Sequence, residues 1–471
     1  MWWLLLLACA DPKADPGDTG VEAEPPPGST LVEPTTPTTS TTPTPPTTPT
    51  GDTAASIVTV ASSETVPQVM WVDWNGGAST VRWRLDGGDL GAVDGEPPVA
   101  LIGLKAETTY TIEVDGVGTA EWSTALPSSL PPPRLVHTDP RSEVADGHLL
   151  TTTFSAAGRA SFVVIVDGDG DVVWAVPDDG PQTKITRARL GRDRDSVLWS
   201  AYAWERDVDT GRIERLSLDG TRYTLTPAVE QHHDFWEHAD GTLAWLAWDV
   251  RDTDLTPGLA APSIYRGPEG GGGAEQLFSL HDDYPHAPWW VCGHMIPGAF
   301  RPGVTEWAHS NSLVYDESAD RYWVMSRYMD ALWTVDATSG ALGWQLGGRY
   351  DEFTAEPGLM PFDHAHFTQR WDDRVLVFDN RGNSPGPSRA VEYAIDEGAR
   401  TWREVWSVDH PDGRVAGFQG DARRLPGGNT VVSWAPHGLI TEHTPDGEVV
   451  WRLEWDQTLT RLSYLPELPP R

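Results

Sequence analysis

The chain has 471 residues, too many for one ordinary domain, and 24 tryptophans among an aromatic content of 10% supply ample material for a large core. A formal net charge of −35 excludes a nucleic-acid partner, because phosphate binding rests on clustered Lys and Arg that an acidic chain does not offer.

Residues 1–9 form a short apolar run, MWWLLLLAC, too short to span a bilayer and placed as a signal segment. The ending Leu-Leu-Ala-Cys resembles the lipobox of a bacterial lipoprotein, although a basic n-region is missing. That resemblance implies lipidation of Cys9 and contact with a membrane only through the lipid anchor, at the bacterial cell envelope. The other cysteine, Cys292, then has no disulfide partner and reads as a small buried thiol.

Residues 10–54 are Pro, Thr, Gly and acidic residues, including TTPTTSTTPTPPTTPT, with almost nothing to bury; they are expected to form a disordered tether. Between 55 and 130, alternating runs VMWVDW, STVRWRL and TYTIEVDG separated by Gly and Asp turns predict β-strands. LIGLKAETTYTIEVDG resembles the core-strand region of a fibronectin type III sandwich, with Leu104 and Tyr110 in the places of its core Leu and Tyr.

Residues 131–471 show no helical periodicity. Strands and turns recur every 40 to 50 residues, in units beginning near Leu135, Ile185, His233, His309, His366 and Gln419. In three of these an apolar strand, a turn with Asp or Thr and Gly, and a second strand lead to Trp174, Trp344 and Trp451. An all-β fold follows: a six-bladed β-propeller preceded by a small β-sandwich.

His233, His309 and His366 open three successive units, so the repeat predicts that their imidazoles reach one channel mouth. The next strand of each unit supplies Asp249, Arg327 and the pair Asp379 and Asn380. A guanidinium fork with imidazole donors suits an oxyanion with several oxygens, and a neutral imidazole is also a nucleophile or base. The pocket therefore favours a phosphoryl or sulfuryl group.

The runs WAHSNSLVYDESADRYWVMSR, FDHAHFTQRWDDRVLVFDNRGN and SRAVEYAID, with HHDFWEHADGTL before them and GDARRLPGGNTVVSW after them, resemble the bacterial arylsulfate sulfotransferases. The resemblance implies a six-bladed propeller and ping-pong transfer of a sulfuryl group from an aryl sulfate donor to a phenolic acceptor through a sulfohistidine. It implies no cofactor, no metal and no nucleotide sulfate. His366 takes the place of the nucleophile, and His233, His309 and Arg327 those of the sulfuryl-holding donors. Asn311, Asp379, Asn380 and Arg389 fall on substrate-binding or supporting positions, with Arg389 equally open to a structural ion pair. His364 is a rival to His366, since two residues apart on a strand point the same way; His232 would point away from His233. Cysteines for the disulfide of some family members are absent.

Other histidines (His281, His286, His294, His437) read as surface or structural, and Trp289, Trp290 and Phe362 as core. Two other classes remain open: a metal-dependent hydrolase with His233, Asp234, His309 and His366 as ligands, and a non-catalytic ligand-binding surface protein.

Overall fold

The structure is a computed structural model that describes residues 57–140, 144–154, 161–178, 183–203, 211–253, 257–284, 303–355, 359 and 361–468. Cys9, the tether, His286, Trp289, Trp290, Cys292 and His294 lie outside the described residues.

The alternating runs after residue 57 form two small antiparallel sheets. One orders Val58–Ser62, Met70–Trp74 and Val99–Leu101; the other orders Gly88–Gly95, Ser79–Leu85, Thr109–Val114 and Gly118–Ser123. Period-two alternation puts Val72, Trp74, Val81, Tyr110 and Ile112 into one core between them, which Leu101 and Leu104 join. The buried Tyr110 keeps its hydroxyl satisfied by accepting the Lys105 N–H at 2.8 Å.

This sandwich is welded to the next two sheets. Val66, Val69, Ala100 and Ile102 share an apolar cluster with Leu150, Trp174 and Trp199. Gln68 donates to the Ala125 carbonyl at 2.6 Å and accepts the Ala175 N–H at 2.8 Å, so its buried amide bridges the two parts.

Among the described residues, six antiparallel sheets of four propeller strands follow. Their inner strands are Thr458–Leu465, Thr183–Leu190, Gln231–Glu237, Ser310–Asp316, His366–Trp371 and Asp421–Arg424. Each contacts the next and the last contacts the first, which closes a ring around a central channel. The ring is fastened twice. The C-terminal strand Thr458–Leu465 is the inner strand of the first sheet, and Arg134–Thr138 adds a fifth strand outside the last. The unit expected to begin near Leu135 therefore begins at His148–Phe154, and Leu135 belongs to the far side of the seam.

Four antiparallel strands return the chain to the end of the sheet where it began. Every inner strand thus runs in the same sense, with its first residues at one channel mouth and its last at the other.

Tryptophans staple neighbouring sheets. Trp174, Trp344, Trp406 and Trp451 lie on the fourth strands of their sheets, counted outward from the channel, and each indole N–H donates to the third-to-fourth-strand turn of the sheet that follows. The acceptors are Leu218 O (2.9 Å), Glu397 Oε2 (3.0 Å), Pro445 O (2.9 Å) and Gly168 O (2.9 Å). Three of these are the tryptophans that marked the repeat. Trp174 is fully buried, so Trp174→Ala is expected to cost about 3–5 kcal/mol, read as a lower urea midpoint with an unchanged m-value.

Candidate functional site

His233, His309 and His366 stand at or next to the first residues of three successive inner strands. At each the ladder is interrupted: the register shifts between Gln231 and Phe235, between Ser310 and Ser312, and between His366 and Thr368. The backbone there is left-handed, with φ of +58° at His233, +49° at His309, +56° at His364 and +56° at Phe367. Non-glycine residues hold this conformation at a cost of about 1–3 kcal/mol each and only where the surroundings enforce it. Such bulges re-aim side chains, which is why simple alternation fails here. His232, expected to point away from His233, instead puts its Nδ1 2.9 Å from the Nδ1 of His233.

The three imidazoles are buried together. The rings of His233 and His309 meet edge to face with centroids 4.8 Å apart. His309 Nδ1 lies 2.7 Å from Glu306 Oε2, and a carboxylate only accepts, so the proton sits on Nδ1 and Nε2 is the basic atom. Glu306 Oε1 accepts the Trp248 indole N–H at 2.8 Å, and Trp248 stacks on His232 at 4.7 Å. Burial works against the charge of Glu306, yet His309 and Trp248 hold its carboxyl below the ordinary range.

His366 is fixed by a different partner. Its Nδ1 is 2.7 Å from Asn380 Oδ1, while the Asn380 amide donates to Ala416 O (2.5 Å) and Gln419 O (3.0 Å). That amide orientation leaves Oδ1 facing the ring, so Nδ1 carries the hydrogen and the Nε2 lone pair is available, touched only by the Gln419 N–H at 3.3 Å. Burial, then the positive field of Arg327, pushes His366 well below the ordinary imidazole range. His233 is lowered well below it by burial and by His309, and His232 to about 4 by burial. These three rings are neutral at neutral pH.

Two guanidinium groups bring charge to the cluster. Arg327 donates through Nη2 to Gly417 O at 2.8 Å, and its buried Nε makes no hydrogen bond. Arg461, 1% exposed, donates through Nη1 to Asp234 Oδ2 at 3.1 Å, while its Nε and Nη2 make none. Its field reaches both His233 and His366. Tyr202 and Tyr328 close the sides, with ring centroids 6.0 Å from His233 and 4.8 Å from His309.

The sequence had singled out several other residues. Asn311 donates to Ala365 O at 2.9 Å and so pins the backbone beside His366. His364 precedes the strand, so strand parity does not govern it. It turns to Asp363, with Nδ1 2.5 Å from Oδ1, and its N–H donates to Asp330 at 2.6 Å. Gly382 allows this packing, since a Cβ there would stand 2.8 Å from the His364 ring. Asp379 accepts the Asp363 N–H at 2.9 Å and pairs with Arg389 Nε at 2.9 Å. Arg389 also reaches Glu404, so it is an ion-pair partner behind the cluster. Asp249 bonds Arg251 and Ser279, His281 sits against backbone carbonyls, and His437 bonds His410 at 2.8 Å. Phe362 is core.

Asp234 does not join the histidines as a metal ligand. Its carboxylate is taken by Arg189 (3.1 Å), Arg461 (3.1 Å) and the Leu313 N–H (2.9 Å). Among the described residues, the groups whose ligand atoms lie close enough for a metal ion are Asp330, Asp363 and His364, and Asp167, Asp169 and Asp171; neither contains the three site histidines.

Glu306, Tyr202, Tyr328 and Arg461 were missed. Glu306 carried a faint signal, three residues before His309. Arg461 carried none, because its place in the ring depends on the C-terminal strand closing the first sheet.

This arrangement defines a β-propeller with a buried cluster of imidazoles and guanidinium groups at one channel mouth. Residues 293–450, which supply His309, Arg327, His366 and Asn380, match the family described as arylsulfotransferase (ASST). No curated protein matches the chain. Among solved structures, a periplasmic gluconolactonase of Pseudomonas aeruginosa is 13% identical, covering 69% of this chain and 99% of its own, with a TM-score of 0.41. A protein of unknown function from Bacteroides caccae is 15% identical over 69% and 100%, with a TM-score of 0.42. A β-propeller domain from Myceliophteria thermophila is 14% identical over 71% and 94%, with a TM-score of 0.39.

Buried neutral histidines tie stability to pH. His232, His238, His410 and His437 are each lowered to about 4, first by burial. Between pH 6.5 and about 4 the unfolded chain therefore binds more protons than the folded one, and stability rises with pH across that window. Asp330, raised to about 6 by burial, and Asp167, Asp283, Asp379 and Glu442, raised by the same cause, work in the opposite direction, but the buried histidines, with His148, His233, His366 and His443 also lowered, outnumber them. The thermal midpoint is expected to fall as pH drops from 6.5 towards 4 at constant ionic strength, as checked by calorimetry. A midpoint that holds or rises would contradict the neutral assignment.

Proposed function

We propose that this chain transfers a sulfuryl group from a phenolic sulfate ester to a phenolic acceptor through a sulfohistidine on His366. The observation that carries the reading is the neutral His366, with its Nδ1 hydrogen held by Asn380 and its Nε2 lone pair meeting a long contact from the Gln419 N–H at 3.3 Å, in the field of Arg327. The family match over residues 293–450 supports aryl sulfate as the substrate class.

In the first half-reaction the Nε2 lone pair forms the N–S bond as the S–O bond to the aryl group breaks, and the electron pair leaves on the phenolate oxygen. The phenolate so released takes its proton from solvent. In the second half the acceptor oxygen attacks sulfur, its proton passes to His309 Nε2, with the resulting charge offset by Glu306, and from there to solvent, and the N–S bond breaks to restore His366. Arg327 Nε and the unbonded N–H groups of Arg461 supply fixed donors for the sulfuryl oxygens, whose charge they offset away from bulk water. His233 completes that wall.

A metal-dependent hydrolase is disfavoured by the arginines that occupy Asp234, the carboxylate such a centre would draw on. The remaining parts fit a surface enzyme: lipidation of Cys9 and a Pro/Thr-rich tether would hold the catalytic unit off a cell-envelope membrane. The fibronectin type III-like reading of the small sandwich is supported by the Tyr110 hydroxyl bound to the backbone five residues upstream.

Initial rates with p-nitrophenyl sulfate and phenol should give parallel double-reciprocal lines. His366→Ala should lower kcat by on the order of 10³ or more, and Glu306→Gln by roughly 10²-fold, with folding checked by circular dichroism. Intersecting lines, or a His366→Ala protein within tenfold of the parent, would remove the sulfohistidine.

A further inference from the structure

The opposite channel mouth is as distinctive as the histidine end. The last residues of the inner strands gather there around a cavity of about 430 Å³ whose cationic lining is Arg187, Arg189, Arg192, Arg423 and Arg424. Leu190, Leu198, Phe235 and Trp236 supply apolar wall, and the Arg189 guanidinium lies 4.5 Å over the Trp236 ring. In a chain of net charge −35 this is a concentration of positive charge against the trend.

The charges in this half of the channel do not balance. Asp234 is shared by Arg187, Arg189 and Arg461, and Asp421 by Arg187 and Arg423, so four guanidinium groups face two carboxylates. Both aspartates and both Arg187 and Arg461 are at most 1% exposed. They form a buried ion-pair layer behind this mouth. At the rim, Arg192 pairs with Glu317 and Arg424 with Glu392, while the lining carboxylate Glu237 is committed to Arg215 at 2.6 Å. The excess positive charge is therefore left on the inner arginines. Two of them also keep unsatisfied donors: Arg187 Nε, 3.7 Å from Asp234, and Arg189 Nε are buried and make no hydrogen bond. A buried donor without an acceptor costs about 1–3 kcal/mol, and an incoming oxyanion removes that cost. The same crowding depresses Arg423 to about 10, first through burial.

We propose that this mouth is a second anion site, separate from the histidine cavity, that takes a tetrahedral oxyanion, sulfate or phosphate, free or carried on a small ester. The guanidinium groups of Arg187, Arg189 and Arg423 hold its oxygens, and Arg192 draws it in from the rim. Trp236 and Phe235 form a wall against which an ester's organic part packs. Occupancy neutralises the excess charge of the arginine and aspartate layer that underlies both mouths. The site stands on its own geometry and is independent of the transfer chemistry.

Crystals of the full chain soaked in sodium selenate, located by selenium anomalous scattering, test the placement. A selenate within hydrogen-bonding distance of Arg187, Arg189 or Arg423 is expected, and it should vanish in Arg189→Gln. Arg192→Glu, a change at an exposed rim position, provides a second variant if Arg189→Gln fails to fold. By isothermal titration with inorganic sulfate, the Kd of this site should rise at least tenfold in Arg189→Gln and at least threefold in Arg192→Glu. A parallel titration of His366→Ala protein with phenyl sulfate separates the free anion from the ester: tighter binding of phenyl sulfate assigns the ester, and tighter binding of sulfate the free ion. No selenium peak at these arginines, or a peak and a Kd unchanged in both variants, would overturn the proposal, whatever the fate of His366.

Discussion

Four strands to a sheet fix the polarity of the channel. Because each sheet returns the chain to the end where it entered, the first residues of all inner strands meet at one mouth and the last residues at the other. Residues more than fifty apart in sequence, such as His233, His309 and His366, come together for that reason alone. The C-terminal strand completes the ring and brings Arg461 to the same place, so ring closure and site assembly are one event.

Within the channel, burial without full pairing sets the chemistry. At the histidine end it keeps His232, His233 and His366 neutral and leaves guanidinium donors of Arg327 and Arg461 unbonded. Asn380 and Glu306 then assign different work to two similar rings. The amide holds His366 as a neutral nucleophile, whereas the carboxylate gives His309 a partner for a transient positive charge. Below them, arginines outnumber aspartates, and the layer they form serves as a positively charged floor for both mouths.

Much of this was legible in the residues. Alternation and a recurring Gly turn with Trp174, Trp344 and Trp451 announced the propeller, because the same staple must recur wherever two sheets splay. Trp406 makes the same bond but sits in a less regular unit, and it was passed over. The gathering of His233 with His309 and of His366 with Arg327 followed from the repeat. The side-chain directions did not: left-handed backbone at His233, His309 and His364 breaks the two-residue period from which parity was argued. Leu135 was assigned to the wrong unit because a strand that closes the seam looks, in sequence, like one that opens a blade. Glu306 and Arg461 escaped because their significance lies in partners supplied by tertiary closure.

The proposed transfer turns on a covalent bond between sulfur and one particular nitrogen. Peptide mass spectrometry of the full chain, quenched under alkaline conditions moments after mixing with p-nitrophenyl sulfate and no acceptor, reads that bond directly. One sulfuryl adduct on the peptide carrying His366, acid-labile and discharged by added phenol, is the predicted result. An adduct confined to another residue, or rapid turnover with no adduct at any quench time, would contradict it.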